Sequence, residues 1–405
     1  MKYVVFLLDG MADEPLPELG GMTPLEYAHT PFIDRISEKA EFGTFLTLPE
    51  NFPTSSDVAN MSVLGWDLAK SYTGRGPIES YGMGIPLDED TIAFRLNLIT
   101  VKDGVLEDYS AGHIEDEDAQ EIISFLQKEL GNEKIRFQKG VSYRHILYLK
   151  GKEFSPDILY EKPDSSHGMK WQDILPRAKT DEACYTEKIL VELIQRSFEL
   201  LADFPVNKRR RSQGKNEANL IWPWSGGRKP DVPSFEQMYG KKGAMVAAVD
   251  VILGLGRLGN MTVCRPEGAT GWIDTNYENK AKAAIDLLKT HDFVYLHLEA
   301  IDECGHLGDL ELKIKAIEEA DARLLGSFLR LYQEEFGSEP WRGLLLPDHP
   351  VPVKLRKHTR IPVPFMIWGE GIQPNPLIRI YNEKTALQGR YVGLKGNELM
   401  KLLFG

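Results

Sequence analysis

Short unbroken apolar runs punctuate this chain, and between them apolar residues recur at helical spacing. "YVVFLL" at 3–8 is closed by Asp9-Gly10 and has the length and β-branching of a buried strand. "TPLEYAHTPFIDRISEKA" then predicts a helix, and "TIAFRLNLITV" alternates like a strand. "EIISFLQKEL" reads as a helix, "SYRHILYLKG" as a strand, and "YTEKILVELIQRSFELLAD" as a longer amphipathic helix. Beyond 215 the rhythm is regular. "GAMVAAVDVIL", "DFVYLHLEA", "RGLLLPDHP" and "VPFMIWGEG" predict strands; "NKAKAAIDLLKT" and "LKIKAIEEADARLLGSFLRLYQEEFG" predict helices. Strands alternating with helices imply a mostly parallel sheet. That rhythm is lost between about 105 and 180, where a smaller α+β domain set into a larger one is expected. The predicted division is a core of 1–110 and 181–405 around an insert of 111–180.

Composition narrows the class. With 42% hydrophobic residues among 405, the chain can bury a large core. A net charge of −12 argues against a nucleic-acid partner. Cys184, Cys264 and Cys304 form neither a disulfide framework nor a CxxC pair, which points to a reducing compartment. The opening apolar run is too short for a signal peptide or a membrane span. The expectation is a cytoplasmic protein with no membrane partner.

Candidate chemistry gathers at predicted strand ends. Asp9 follows "YVVFLL", Asp302 and His306 lie in "HLEAIDECGHLGD", Asp348 and His349 follow "RGLLLP", and His358 comes shortly after. In open α/β sheets ligands bind beyond the carboxyl ends of strands, so these distant segments can converge. Three carboxylates and three imidazoles suffice for two divalent ions, and mixed N/O ligation favours Mn, Zn, Co or Fe over Mg. Each residue alone has a plainer reading, such as a helix N-cap for Asp9. Cys304 reads as a small buried residue, and His297, alternating with apolar neighbours, as a core histidine.

Four further stretches bear on the site. "PTSSDVAN" offers a serine that a metal could activate, or an ordinary N-cap; a helix start also suits a phosphate. "YTGRGPIESYGMG" offers Arg75 to a phosphate or carboxylate, or is a loop with a solvated arginine. The basic run Lys208–Arg211 reads as an exposed face that could attract an anion. "GLGRLG" at 254–259 matches a dinucleotide fingerprint, but β-rich sequence broken by Pro266 and Gly268 follows it, so nicotinamide binding is not expected.

Taken in order, "LLDGMAD", "PTSSDVANMSVLGWD", "GRGPIESYGMGI", "AFRLNLITV", "SYRHILYL", "AIDECGHLGD", "PDHP" and "KHTRIPVPF" resemble the archaeal-type cofactor-independent phosphoglycerate mutases of the alkaline phosphatase superfamily. The resemblance implies an alkaline-phosphatase-like three-layer α/β core with a mostly parallel sheet and a substrate-gripping insert. It implies phosphoryl transfer through a phosphoserine, interconverting 3- and 2-phosphoglycerate without 2,3-bisphosphoglycerate. Ser56 would be the nucleophile. Asp302, His306 and His358 would hold one divalent ion, and Asp9, Ser56, Asp348 and His349 the other. Manganese is expected first, with Zn, Co or Mg as alternatives. Arg75, Arg144 and His145 would contact a small phosphorylated substrate. Asn60 stands where relatives often carry His. An alternative use of the same site is a homoserine kinase taking its phosphoryl group from ATP.

Overall fold

The computed structural model describes residues 1–405. The chain forms two compact units, 1–72 with 231–405, and 73–230.

The first unit is built on an eight-stranded sheet. Its strand order is Thr262–Cys264, Gly243–Val246, Phe293–Leu298, Lys2–Leu8, Trp341–Leu346, Val363–Gly369, Ala40–Leu46 and Tyr391–Lys395. Only Val363–Gly369 runs against the others. The first strand is central: Val5 pairs with Tyr295 on one side and Leu344 on the other. Such a strand has no solvated face, which is why it reads as a continuous apolar run. Val4, Phe6 and Leu8 enter a core shared with the helices Tyr277–Leu288 and Gly326–Phe336. On the opposite face Tyr3 meets Phe404 of the last helix edge-on, with ring centroids 4.9 Å apart. Helices therefore cover both faces, giving the expected three layers.

The second unit carries a five-stranded antiparallel sheet. Thr91–Lys102 pairs with Arg144–Lys150, Leu220–Gly227 and Val105–Asp108, and Ile135–Val141 forms an edge. Asp116–Leu130 and Cys184–Leu201 pack their apolar faces on it. This corrects the boundaries 111–180. "TIAFRLNLITV" is the spine of the smaller unit, because its ladder partners at 144–150 and 220–227 belong to that unit. The interruption begins and ends at neighbouring points. Ser71 Oγ donates to Asp231 O at 3.1 Å in the first unit, and Thr73 Oγ1 to Arg228 O at 2.7 Å in the second.

Two local predictions fail for identifiable reasons. "TPLEYAHTPFIDRISEKA" forms two helices, Pro24–Tyr27 and Pro31–Ser37, because Pro31 disfavours helical backbone in the residue before it. "GAMVAAVDVIL" is a strand only to Val246, and Asp250–Leu258 is a helix. An apolar run alone does not distinguish a buried strand from a buried helix. "GLGRLG" falls in and just after that helix. A Cβ at Gly256 would come within 2.6 Å of Val263 Cγ1, so this glycine serves close packing.

Candidate active site

The carboxyl edge of the large sheet collects the acidic and imidazole residues. Asp9 follows Leu8 directly, Glu299 follows Leu298, and Asp348 comes one residue after Pro347 at the end of Trp341–Leu346. The antiparallel strand Val363–Gly369 starts at this same edge, so His358, just before it, also arrives here. Ser56 opens the helix Ser56–Val63 in the segment after Ala40–Leu46. Topology alone therefore accounts for the convergence.

The distances are short. Ser56 Oγ lies 3.2 Å from His349 Nε2. His349 Nε2 is 3.3 Å from Asp348 Oδ2 and 3.5 Å from Asp9 Oδ1, and its Nδ1 is 3.9 Å from Asp302 Oδ1. His358 Nε2 is 3.4 Å from Asp302 Oδ1, and His306 Nε2 is 3.5 Å from Asp302 Oδ2. The His306 and His358 Nε2 atoms face each other at 2.8 Å, and the His349 and His358 rings stack at 3.7 Å. Backbone contacts orient the two outer imidazoles: His306 Nδ1 meets Arg356 O at 3.0 Å and His358 Nδ1 meets Thr54 O at 3.1 Å. Gly10 lets the chain turn beside Asp302. It has φ +67°, and a Cβ there would lie 2.5 Å from Asp302 Cα.

The electrostatics match a cation-binding cluster. Burial, then the charges of Asp348, Asp302 and Glu299, push the Asp9 carboxyl well above its ordinary value. Burial pushes Asp348 up to about 6 and Glu299 up to about 8. Burial would also raise Asp302, but the hydrogen bond from His358 and the charges of His358, His306 and His349 hold it low. Burial, together with the His358 charge, pushes the His349 imidazole well below its ordinary range. Asp9 Oδ1 and His349 Nδ1 are buried without a hydrogen-bond partner. Buried polar atoms are normally partnered, so these are donor atoms suited to metal coordination. Asp302/His349/His358 and Asp9/Asp348/His349 each bring three ligand atoms within 4.8 Å of one another. The two triads share His349, and His306 Nε2, 3.5 Å from Asp302 Oδ2, supplies the further imidazole with which the residues fit two divalent cations.

In the second unit, Glu79 is buried beneath arginines. Arg75 Nε donates to its Oε1 at 2.6 Å and Arg95 Nη1 at 2.5 Å. Burial would raise Glu79, but the charges of Arg95, Arg75 and Arg144 hold it below the ordinary carboxylate value. One buried carboxylate thus faces the charges of three guanidinium groups. His145, by contrast, is fully buried, and its Nδ1 accepts from Gly140 N at 3.0 Å. This overturns its expected substrate contact: Arg144 is exposed at the start of Arg144–Lys150, whereas His145 is fully buried. The basic run is also consumed locally. Arg210 is buried, bonded to Glu115, Asp118 and Ala111 O, while Arg209 pairs with Asp118 and Arg211 with Glu217.

A family profile described as 2,3-bisphosphoglycerate-independent phosphoglycerate mutase matches residues 37–207. Proteins of that name from Methanothrix thermoacetophila and Methanosarcina acetivorans are similar at 45% and 42% identity, each alignment covering 100% of this chain and 99% of the relative. The chain belongs to the 2,3-bisphosphoglycerate-independent phosphoglycerate mutase family. The fold agrees. A Pyrococcus horikoshii protein superposes with a TM-score of 0.82 at 29% identity, over 99% of this chain and 96% of that one. The cofactor-independent phosphoglycerate mutase of Thermoplasma acidophilum does so at 0.65 and 26%, over 100% and 99%. The homoserine kinase alternative gains no support, since the curated relatives carry the mutase name.

The structure also brings to the mutase site residues that sequence reasoning had given no role there. His297 is buried, as expected, but its Nε2 lies 3.1 Å from Asp9 Oδ2, and Glu299 stands next to it with a buried, unpartnered Oε2. Asn60 donates to Ser56 O and Asp348 Oδ2, and Tyr295 donates to Asn60 Oδ1. The available signal was periodicity: Ser56 and Asn60 are four apart on one helix, and Tyr295 and His297 two apart on one strand. No helix is long and apolar enough to cross a membrane.

Proposed function

We propose that Ser56 is the nucleophile of a phosphoglycerate mutase that interconverts 3- and 2-phosphoglycerate. Asp302, His306 and His358 would hold one divalent ion, and Asp9, Asp348, His349 and Ser56 Oγ the other, with manganese expected first from the family resemblance and compatible with this mixed N/O donor set. Bound there, the ions supply Lewis acidity, favouring the serine alkoxide and neutralising phosphoryl charge.

The chain's own groups do the rest. Ser56 Oγ attacks phosphorus in line. The Oγ–P bond forms, the ester O–P bond breaks, and the proton that leaves Ser56 Oγ is balanced by the one the departing glycerate oxygen takes up. The Ser55 hydroxyl does not cap the helix, so the first N–H groups of Ser56–Val63 and the helix dipole favour the phosphoserine's charge. The glycerate's other hydroxyl then attacks the phosphoserine, loses its proton and restores Ser56. Arg75 and Arg144 give the unit 73–230 its substrate-gripping charge, held in place by Glu79. Retaining glycerate between the two transfers is what distinguishes a mutase from a phosphatase.

The observation that carries this reading is the 3.2 Å approach of Ser56 Oγ to His349 within the acidic cluster. Ser56→Ala should fold, bind manganese and lose mutase activity. A Ser56→Ala protein interconverting the two phosphoglycerates at the wild-type rate refutes it.

A further inference from the structure

Asn60 sits four residues after Ser56 on the same helix face, fully buried. Its Nδ2 donates to Ser56 O at 2.8 Å and to Asp348 Oδ2 at 2.9 Å, and its Oδ1 accepts from Tyr295 Oη at 2.6 Å. Tyr295 is fully buried on Phe293–Leu298 and faces away from the core that takes Val294 and Leu296. The arrangement admits one orientation of the amide. Two acceptors lie on one side and a hydroxyl donor on the other, so a flipped Asn60 would set its oxygen against a carboxylate and a carbonyl. One side chain thus bridges the first turn of the serine's helix and a carboxylate at the far end of the chain, 288 residues away.

Asp348 has three donors: Gly10 N at 3.3 Å and His349 N at 2.9 Å on Oδ1, and Asn60 on Oδ2. The two backbone donors fix one oxygen. Asn60 fixes the other, and with it the rotation of the carboxylate plane about Cβ–Cγ. That plane sets where the carboxylate's remaining lone pairs point, and Oδ2 is also the oxygen 3.3 Å from His349.

We propose that Asn60, locked by Tyr295, is a positioning residue that clamps Ser56 and Asp348 into one geometry, so that metal affinity and nucleophile alignment depend on the same amide. It touches neither substrate nor reacting atoms. It acts through the backbone of Ser56 and the carboxylate of Asp348. The proposal rests on the reading of Ser56 as nucleophile and Asp348 as ligand.

The test uses the full-length protein with Asn60→Leu, which keeps the shape and removes all three hydrogen bonds, and Tyr295→Phe, which removes one hydroxyl. Two quantities are read: Mn²⁺ affinity by calorimetry on metal-stripped protein, and kcat and KM for 3-phosphoglycerate. Loss of a residue that orients a ligand commonly weakens metal binding or activity by about 10–100-fold, so Asn60→Leu should fall in that range for both Mn²⁺ affinity and kcat, with KM within about threefold. Tyr295→Phe should move both quantities the same way by a smaller factor. A purely structural role would lower the melting temperature and leave kcat and Mn²⁺ affinity of the folded protein within about twofold of wild type. That result overturns the proposal, as does a loss of kcat with unchanged Mn²⁺ affinity. If Asn60→Leu does not fold, Tyr295→Phe decides by the same two readouts. Ser56→Ala, assayed alongside, separates the levels: full activity there sinks the catalytic reading itself, whereas a dead Ser56→Ala beside unaffected clamp variants sinks only the clamp.

Discussion

Stripping the metal from this protein should make it less stable as the pH rises from 5 to 8, the reverse of ordinary acid denaturation. The cause is the crowd of carboxylates at the sheet edge. Asp9, Asp348 and Glu299 all have folded-state values above those of the unfolded chain, with burial the largest cause. A raised carboxyl contributes stability that is fully present below its unfolded value and is lost as the pH climbs through its folded value. For Asp348 the rise from 3.8 to about 6 is worth about 3 kcal/mol, of which about 1.4 kcal/mol is lost above pH 5. Glu299, pushed up to about 8, keeps the slope negative to the top of the window. Against a total stability of about 5–15 kcal/mol, that loss is large. His358, raised against its burial by its bond to Asp302, adds to the same slope; the buried His349, His297 and His145, all held below their ordinary range by burial, oppose it up to about pH 6.5, and Asp302, held low, opposes it only below its ordinary range. With Mn²⁺ bound the carboxylates are ionised and paired, and metal binding strengthens with pH. The assay is thermal unfolding from pH 5 to 8 with EDTA or with Mn²⁺. The EDTA curve should fall and the gap between curves should widen. A flat or rising EDTA curve would refute the argument.

Three other perturbations probe the scaffold. Gly10→Ala should cost about 1–2 kcal/mol for left-handed backbone and about 1–3 kcal/mol for overpacking against Asp302; since the clash is with Asp302 Cα at 2.5 Å, Mn²⁺ affinity should drop with stability, measurable by calorimetry and urea unfolding. Glu79→Ala should destabilise by roughly 3–5 kcal/mol, because it strands the buried Arg95 guanidinium, and should raise KM for phosphoglycerate by loosening Arg75. Lys313→Met should cost a similar amount, because the Lys313 Nζ–Asp13 Oδ2 pair at 2.7 Å has both side chains fully buried. Adding Asp13→Leu should recover part of that loss in urea unfolding.

Much of the site was legible because strand-terminal positions are legible. Asp9, Asp302, Asp348 and His349 were placed by their distance from apolar runs, and a parallel sheet brings such positions together whatever the loops between them do. His145 was misread because its neighbour Arg144 is a plausible anion contact and nothing in "SYRHILYL" announces which of two adjacent residues faces inward. His297 is buried as expected, but it faces the acidic cluster rather than the apolar core, and its contact to Asp9 depends on strand pairing, Leu7 opposite His297, which the sequence does not display. The edge strand Tyr391–Lys395 carries no apolar alternation and is half exposed, so it left no pattern to find. The insert's limits were misjudged because a strand's partners decide its membership, and they lie more than forty residues away.

The paired crossings at Ser71–Asp231 and Thr73–Arg228 make residues 73–230 a cassette plugged into one socket of the host fold. None of the eight strands of the large sheet comes from residues 73–230, so the edge that gathers Asp9, Asp302, Asp348 and His349 is assembled without any strand of that segment.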